Sequence, residues 1–435
     1  MIRSINAALG ILCLAAVCSP LAAQELTVSP YSRYAIGDVF SATTVRNASM
    51  GGIGVASDNY FSINRVNPAT LADLVYTTSD LSVFGQVSRM STANSRSYPV
   101  AAGLHDMSFA FPSNKGLVLG LGFAPYSGVG YTIDSRQDVL LGDSTFVQRT
   151  IYTAKGGLSQ AYLTAAYRML HNRLRIGASF NFLFGNTTYT WSNVLYANDT
   201  LLAAGYLPIT AVRDQYARGV NPQIGILYSD TLNKAKNIHW RIGATAEFPL
   251  AMKANRFTEY SNTLVRDSVG VFEEGEILLP RKVGIGFMIN RPAYWSVGAD
   301  VVWRDWTNFT FLSDSLNLGR ELRASIGGEF TPNPEVANYL KRINYRAGAY
   351  AQQTYINFGG DPVYDYGVTF GVGIPATFKG NSRFQPGRVT SRINIGAELG
   401  RRGNINLEQP VEEYYVRLRL GFTINEQWFV KRVFN

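Results

Sequence analysis

Charged residues interrupt an otherwise apolar and aromatic stretch between Trp295 and Trp306: Asp300, Arg304 and Asp305, followed further along by Arg323 and Arg346. Facing one another from nearby strands, such groups could bind the carboxylate of a ligand. Inside a lumen, however, charges of this kind more commonly pair with one another. A second binding lead is Phe123-Ala124-Pro125-Tyr126. Phe123, Pro125 and Tyr126 could line a ligand path at an opening in a wall, because a proline donates no ladder hydrogen bond and marks a local break or a strand end. Catalysis finds less support. His105, His171 and His239 lie far apart with no HExxH spacing, and there is no G-x-S-x-G elbow. A hydrolase assembled from Ser, His and an acid on neighbouring strands is the remaining enzymatic reading. Glu273, Glu274 and Glu276 cluster without EF-hand spacing, so no metal site is expected. The G-x-G pairs at Gly120/Gly122, Gly284/Gly286 and Gly371/Gly373 precede no strand-to-helix turn and predict no dinucleotide cofactor. The expectation is a non-enzyme without cofactors.

Whatever these residues do, the rest of the chain must position them. Only 16% of its 435 residues are charged and 13% are aromatic, a charged fraction well below the ~25% of ordinary soluble domains. Arg3, an apolar run from Ala7 to Val17 and the small-residue end Leu21-Ala22-Ala23 read as a secretory signal peptide over residues 1–23. Cys18 offers lipoprotein acylation as a rival, weakened by Val17 before it. Both cysteines, Cys13 and Cys18, fall in this segment, so the expected mature chain has no thiol chemistry. Without Arg3 the net charge of +9 becomes +8, spread along the chain rather than concentrated, which argues against nucleic-acid binding. Beyond residue 23 no apolar run approaches the ~18 residues of a spanning helix.

Alternation of period two recurs in segments of about ten residues, the length of a tilted barrel strand. Ile176, Phe180, Phe182 and Phe184 oppose Arg175, Gly177, Ser179 and Asn181; Trp240, Ile242 and Phe248 oppose Arg241, Gly243 and Glu247; Val416, Leu418 and Leu420 oppose Arg417, Arg419 and Gly421. A soluble sandwich would alternate too. The barrel is favoured because the polar faces are small-residue-rich with isolated charges, as a lumen would be, and Trp240, Tyr294 and Trp303 sit near strand ends, as an interfacial girdle would. Fourteen strands are predicted near 78–91, 103–111, 117–127, 156–169, 173–191, 217–229, 237–250, 279–289, 294–308, 319–331, 342–354, 366–376, 391–399 and 414–424. Long polar connections (128–155, 192–216, 251–278) alternate with short ones (112–116, 170–172, 230–236, 290–293). Long extracellular loops and short periplasmic turns give that rhythm. The fold class expected is therefore all-β: a 14-stranded antiparallel transmembrane β-barrel over 78–424, with both chain ends in the periplasm.

Residues 24–77 differ in kind. They are rich in small residues and lack sustained alternation. Asn67 before Pro68 reads as a helix cap and first helical position, starting a short helix near Ala69. A barrel this wide is not filled by its own wall side chains, so 24–77 is expected to fold inward as an N-terminal hatch (plug), with Gly51, Gly52 and Gly54 allowing close approach to the wall. Asn67, Pro68 and Ala69 are either a mobile gate or, on capping geometry, a fixed part of that hatch.

The run Arg46 to Ala56, with Asp58 and Asn67-Pro68-Ala69, resembles the N-terminal hatch of the outer-membrane long-chain fatty acid transporter family (FadL-like). Gly120 to Tyr126 looks like that family's third strand around its kink; Trp295 to Trp306, Arg346-Ala347-Gly348 and Leu420-Gly421-Phe422 are similar to later strands. The resemblance implies a monomeric barrel in the outer membrane of a Gram-negative cell, with lipid and lipopolysaccharide around it. It implies passive uptake of hydrophobic or amphipathic small molecules, passed over the hatch and released laterally at the kink. The chain departs from the pattern in continuing as a tail over 425–435 rather than stopping at a terminal aromatic. The alternative expectation is a non-transporting FadL-like barrel, a structural or type IX secretion-associated subunit that docks a periplasmic protein through that tail.

Overall fold

The computed structural model describes residues 25–426 apart from 59, 93–94, 114, 142–143, 198–199, 202–207, 249, 263–266, 313, 337, 359, 377–390 and 404–410. The expected signal peptide and residues 427–435 of the expected tail lie outside the described residues. The tail's first two residues, Asn425 and Glu426, belong to the last strand.

The chain forms a closed 14-stranded antiparallel barrel. The strands are β1 (Thr77–Ser91), β2 (Val100–Pro112), β3 (Leu117–Leu141), β4 (Ser144–Met169), β5 (Leu174–Ala197) and β6 (Ile209–Asn233). β7 runs in two parts, Ile238–Glu247 and Ala251–Asn262, as does β8, Asp267–Leu278 and Arg281–Arg291. There follow β9 (Trp295–Asp305), β10 (Arg320–Phe330), β11 (Asn344–Phe358), β12 (Asp361–Pro375), β13 (Arg392–Gly403) and β14 (Glu412–Glu426). Each pairs with the next, and β14 returns to β1 from Thr77↔Glu426 to Ser91↔Glu412. That closure leaves no free sheet edge there, as a strand-built structure in lipid requires.

Which face points where decides between barrel and sandwich. Along β1 buried and exposed positions alternate: Asp80, Ser82, Gln86 and Ser88 are buried while Leu81, Val83 and Val87 are exposed. The same inversion holds on β5, where Arg175, Ser179 and Asn181 are buried and Phe180, Phe182 and Phe184 exposed. Polar side chains inside and apolar ones outside is the reverse of a soluble protein and the expected surface of a barrel in lipid.

The connections 128–155, 192–216 and 251–278 are largely strand rather than loop. β3 and β4 stay paired out to Leu141↔Ser144, and the two parts of β7 and β8 that extend the wall pair from Ala251↔Leu278 to Asn262↔Asp267. Beyond the membrane both faces of a hairpin meet water, so alternation fades although the ladder continues. No helix among the described residues is long and apolar enough to cross a membrane.

Leu418, exposed at mid-strand on β14, is expected to face hydrocarbon. Leu418→Arg should destabilise the bilayer-embedded barrel by about 2–4 kcal/mol, read as a lower denaturant midpoint for the heat-modifiable folded band. An unchanged midpoint would mean that this face meets water.

Candidate functional site

One stretch of the wall is not closed by its neighbouring strand. β2 pairs with β3 only from Met107↔Phe123 to Pro112↔Val118. Past Phe123, β3 turns away: Pro125 offers no N–H, and the register against β4 shifts between Pro125 and Ser127. Residues from the start of the chain occupy the gap. Asp38 and Val39 pair antiparallel with Gly128 and Ser127, and the Phe40 N–H donates to the Tyr126 carbonyl at 2.9 Å. The Ser32 hydroxyl accepts from the Gly130 N–H at 3.1 Å. On the other side the Ala102 N–H of β2 donates to the Glu25 carbonyl at 3.2 Å. Gly130 is needed at this approach, since a Cβ there would sit on the Thr27 carbonyl.

From this seam the leading segment crosses the bore. Its contacts reach strands all round the wall. Near the long hairpins, Arg402 of β13 donates to Asp38 and Glu413 at 2.7 and 2.8 Å, and the Ser29 hydroxyl donates to Glu413 at 2.8 Å. Tyr31 lies under the Arg402 guanidinium, and burial pushes its phenol up to about 12. Lower down, Arg46 in the short helix Val45–Ala48 bonds Asp58 at 2.9 Å and Glu329 of β10 at 3.1 Å. Burial opposes its charge, but Glu329 and Asp58 outweigh that, so its pKa lies above the ordinary guanidinium value. Arg65 bonds Asp106 of β2 at 2.7 Å. Asp73, at the end of the 3-10 helix Pro68–Asp73, accepts from Arg175 of β5 through one carboxylate oxygen and from Arg241 of β7 through the other.

The residues singled out from sequence are spread through this arrangement rather than gathered in one site. The Gly51 N–H donates to Thr369 at 2.7 Å, and Gly51 (φ 72°) and Gly52 (φ 88°) lie in the left-handed region. The N–H groups of Gly54 and Val55 both donate to Asp300, at 2.6 and 2.8 Å. Asn67 accepts from the Ala69 N–H at 3.0 Å and donates to the Val55 and Ile226 carbonyls. Pro68 is the first helical residue, with Ala69 fully buried behind it.

Asp300, Arg304, Arg323 and Arg346 do point inward but do not face one another as a set. Arg304 pairs with Glu321 at 3.3 Å and Arg346 with Glu329 at 2.6 Å. Arg323 donates to Gln352 and the Gly51 carbonyl and stacks on Tyr350, its guanidinium carbon 3.7 Å from the ring centre. Asp305 requires correction as a lumen charge. Alternation turns it to the other side of β9, where it caps the Thr307 N–H and hydroxyl at 3.3 and 2.7 Å. Phe123 packs beside Phe184, Pro125 lines the interior cavity, and Tyr126 joins an apolar cluster with Tyr31, Trp306 and Tyr355. That cavity holds about 170 Å³ and its lining is more polar than apolar, with Lys282, Arg304, Glu321, Glu398 and Arg402 among its charged groups.

Sequence reasoning missed the Asp73–Arg175–Arg241 and Asp38–Arg402–Glu413 clusters. Arg175 and Arg241 were visible as isolated charges on small-residue faces, but Asp73 is separated from them by 102 and 168 residues. Among the described residues no group of His, Cys, Asp and Glu could hold a metal ion.

The model of one protein family, BamG, matches residues 1–435. The chain belongs to the BamG family. No curated protein matches it in sequence. Among solved structures, this BamG-family barrel superposes on the Pseudomonas putida toluene transporter TodX with a TM-score of 0.57 and 16% identity, covering 89% of this chain and 99% of that one. A Pseudomonas aeruginosa FadL homologue gives 0.59 and 12%, covering 89% and 98%, and the monoaromatic hydrocarbon channel CymD 0.54 and 14%, covering 90% and 98%. The fold is thus that of the FadL-like hydrophobic-compound channels, as the resemblance in the sequence implied.

Among the described residues Asp73 is the one carboxylate shared by the buried guanidinium groups of Arg175 and Arg241, so Asp73→Ala should cost about 3–5 kcal/mol. The expected readout is rapid proteolysis of the leading segment in a barrel that still runs as a folded band. Protection equal to the unsubstituted protein would show that these pairs do not hold the segment.

Proposed function

We propose that this barrel resides in the outer membrane of a Gram-negative cell and admits hydrophobic or amphipathic small molecules, with residues 25–76 as its plug. On this reading the gap between β2 and β3, filled by residues 25–40, is the lateral exit into the membrane. The wall break itself carries the reading. A transmembrane wall gains nothing from an interrupted ladder unless the interruption is used, and a removable stretch of the chain's own backbone satisfies its polar groups while it is shut. Phe123, Pro125 and Tyr126 border that exit. Asn67, Pro68 and Ala69 are the fixed end of the plug, because their hydrogen bonds serve capping and anchoring together. Dry apolar surface at the exit would favour a greasy solute by about 25 cal/mol per Å² buried. The toluene transporter and hydrocarbon channel that share the fold are consistent with such solutes.

A second reading, a non-transporting structural or secretion-associated barrel, is favoured by one observation: the leading segment is tied by buried ion pairs and the cavity of about 170 Å³ is polar. A greasy molecule would find little dry volume there. In this reading residues 427–435 dock a periplasmic protein.

Cysteine pairs separate the two on a thiol-free background. Val39→Cys with Ser127→Cys would tie the leading segment to β3, and Glu25→Cys with Ala102→Cys would tie it to β2. Oxidised, the doubly locked barrel should lose uptake of a long-chain fatty acid or toluene by cells, and reductant should restore it. Uptake that never depends on the barrel, together with a protein partner lost on removing residues 427–435, would establish the second reading instead.

A further inference from the structure

The outer wall carries a groove of about 670 Å³ across β11 to β14 and β1. Its floor is a single cross-strand row, Ala349, Val368, Leu399, Val416 and Val87, each directly opposite the next. Two residues nearer the long-hairpin end, the next outward row reads Tyr366, Arg401, Tyr414 and Arg89, again in direct register. Basic and phenolic groups therefore alternate along the rim of an apolar trough. Arg401 pairs with Glu412 at 2.7 Å and stacks near Tyr414. Arg89 is exposed and has no carboxylate partner among the described residues.

The trough is built into the wall. Gly367 and Gly400 face inward between its floor and rim, and a Cβ on either would land on the ring of Tyr350 or Tyr415. Those rings come up under the glycines and line the groove from beneath. They are themselves fixed, Tyr350 and Tyr415 sharing a hydrogen bond at 2.5 Å and reaching Glu398 and Asp365 at 2.7 and 2.9 Å. The concavity thus does not depend on a mobile loop.

We propose that this groove binds one phosphorylated, multiply acylated lipid of the outer leaflet. The aliphatic floor receives acyl chain. The guanidinium groups of Arg89 and Arg401 receive a headgroup phosphate, for which planar paired donors are well suited, and the Tyr366 and Tyr414 hydroxyls complete the rim at the level where aromatic belts meet headgroups. An apolar protein partner is disfavoured, because it would leave Arg89 without a counter-charge at the edge of the hydrocarbon. This site rests on the outer-membrane placement proposed above and is independent of whether solute passes the seam.

The test uses the full barrel, purified in detergent and stripped of lipid, with bis-phosphorylated lipid A, dephosphorylated lipid A and phosphatidylglycerol as probes in native mass spectrometry. Bis-phosphorylated lipid A should be retained at a stoichiometry of one. Arg89→Ser with Arg401→Ser should weaken its retention about tenfold or more, and dephosphorylation should do the same to the unsubstituted protein. Val368→Trp, which fills the floor while keeping the surface apolar, should reduce it with the arginines intact. All variants are checked for the heat-modifiable folded band. Equal retention of the three probes, or retention unaffected by the arginine and tryptophan substitutions, would overturn the site and leave only an unspecific lipid annulus. Loss of fatty acid uptake in the locked barrel bears on the seam alone, so the two proposals fail separately.

Discussion

Backbone polar groups in hydrocarbon have no water to bond, and this single requirement organises the molecule. It closes β14 onto β1. It also explains why the place where β2 and β3 part, beyond Phe123, is not left empty. Two residues of ladder from Asp38 and Val39, and a carbonyl from Glu25, stand in for the strand that is missing there. The leading segment is therefore part of the wall at one point and part of the filling elsewhere. Its sequence reflects that double duty in lacking the alternation of a strand.

A wide bore raises the complementary difficulty of burying what the wall turns inward. The inward faces carry many charges, and few are left to face one another across empty space. Glu329 is shared between Arg46 of the leading segment and Arg346 of the wall; Glu398 holds Arg419 at 2.6 Å; Lys282 and Glu247 meet at 2.5 Å. Replacing such pairs by apolar residues need not destabilise a protein, whereas removing one partner does. The arrangement is better understood as fixing one position of the segment than as a reservoir of stability.

Much of the barrel was legible because lipid outside and polar filling inside impose opposite demands on alternate residues. Strand number and the inward faces of β5, β7 and β14 follow from that pattern alone. It loses force where the environment becomes uniform, which is why the hairpin extensions of β3 to β8 read as loops. It also places charges on a face without naming their partners. Arg304 and Asp305 are adjacent in sequence and lie on opposite sides of the wall; Arg401 and Arg402 divide in the same way, one to the outer rim and one to the bore. Arg401-Arg402 and Glu412-Glu413 fall just outside the strands expected at 391–399 and 414–424; as strand, they form one ion pair outside and another inside. Ser29 and Glu413, 384 residues apart, share a bond that no local pattern announces. Pro125 was legible as a break, but not what fills it.

The two halves of the leading segment differ in how much would be lost if they moved. Displacing the end of Pro68–Asp73 strips a carboxylate from both Arg175 and Arg241, and uncompensated buried charge of that kind costs several kcal/mol. Displacing residues 25–40 breaks a short run of backbone bonds, each worth about 1 kcal/mol net, separates Asp38 from Arg402 and Ser29 from Glu413, and draws Tyr31, Ala35 and Ile36 out of an apolar cluster, but strips no buried cation of its last carboxylate. Arg402 would not be left bare, because Glu413 on the neighbouring strand remains at 2.8 Å. Asp38, released toward the hairpin end, would move toward water rather than into hydrocarbon. The chain therefore places the attachments whose loss would leave a buried charge bare at the short-turn end of the bore, away from the wall break. On electrostatic grounds any opening of this structure should begin at the seam, with Pro68–Asp73 still in place.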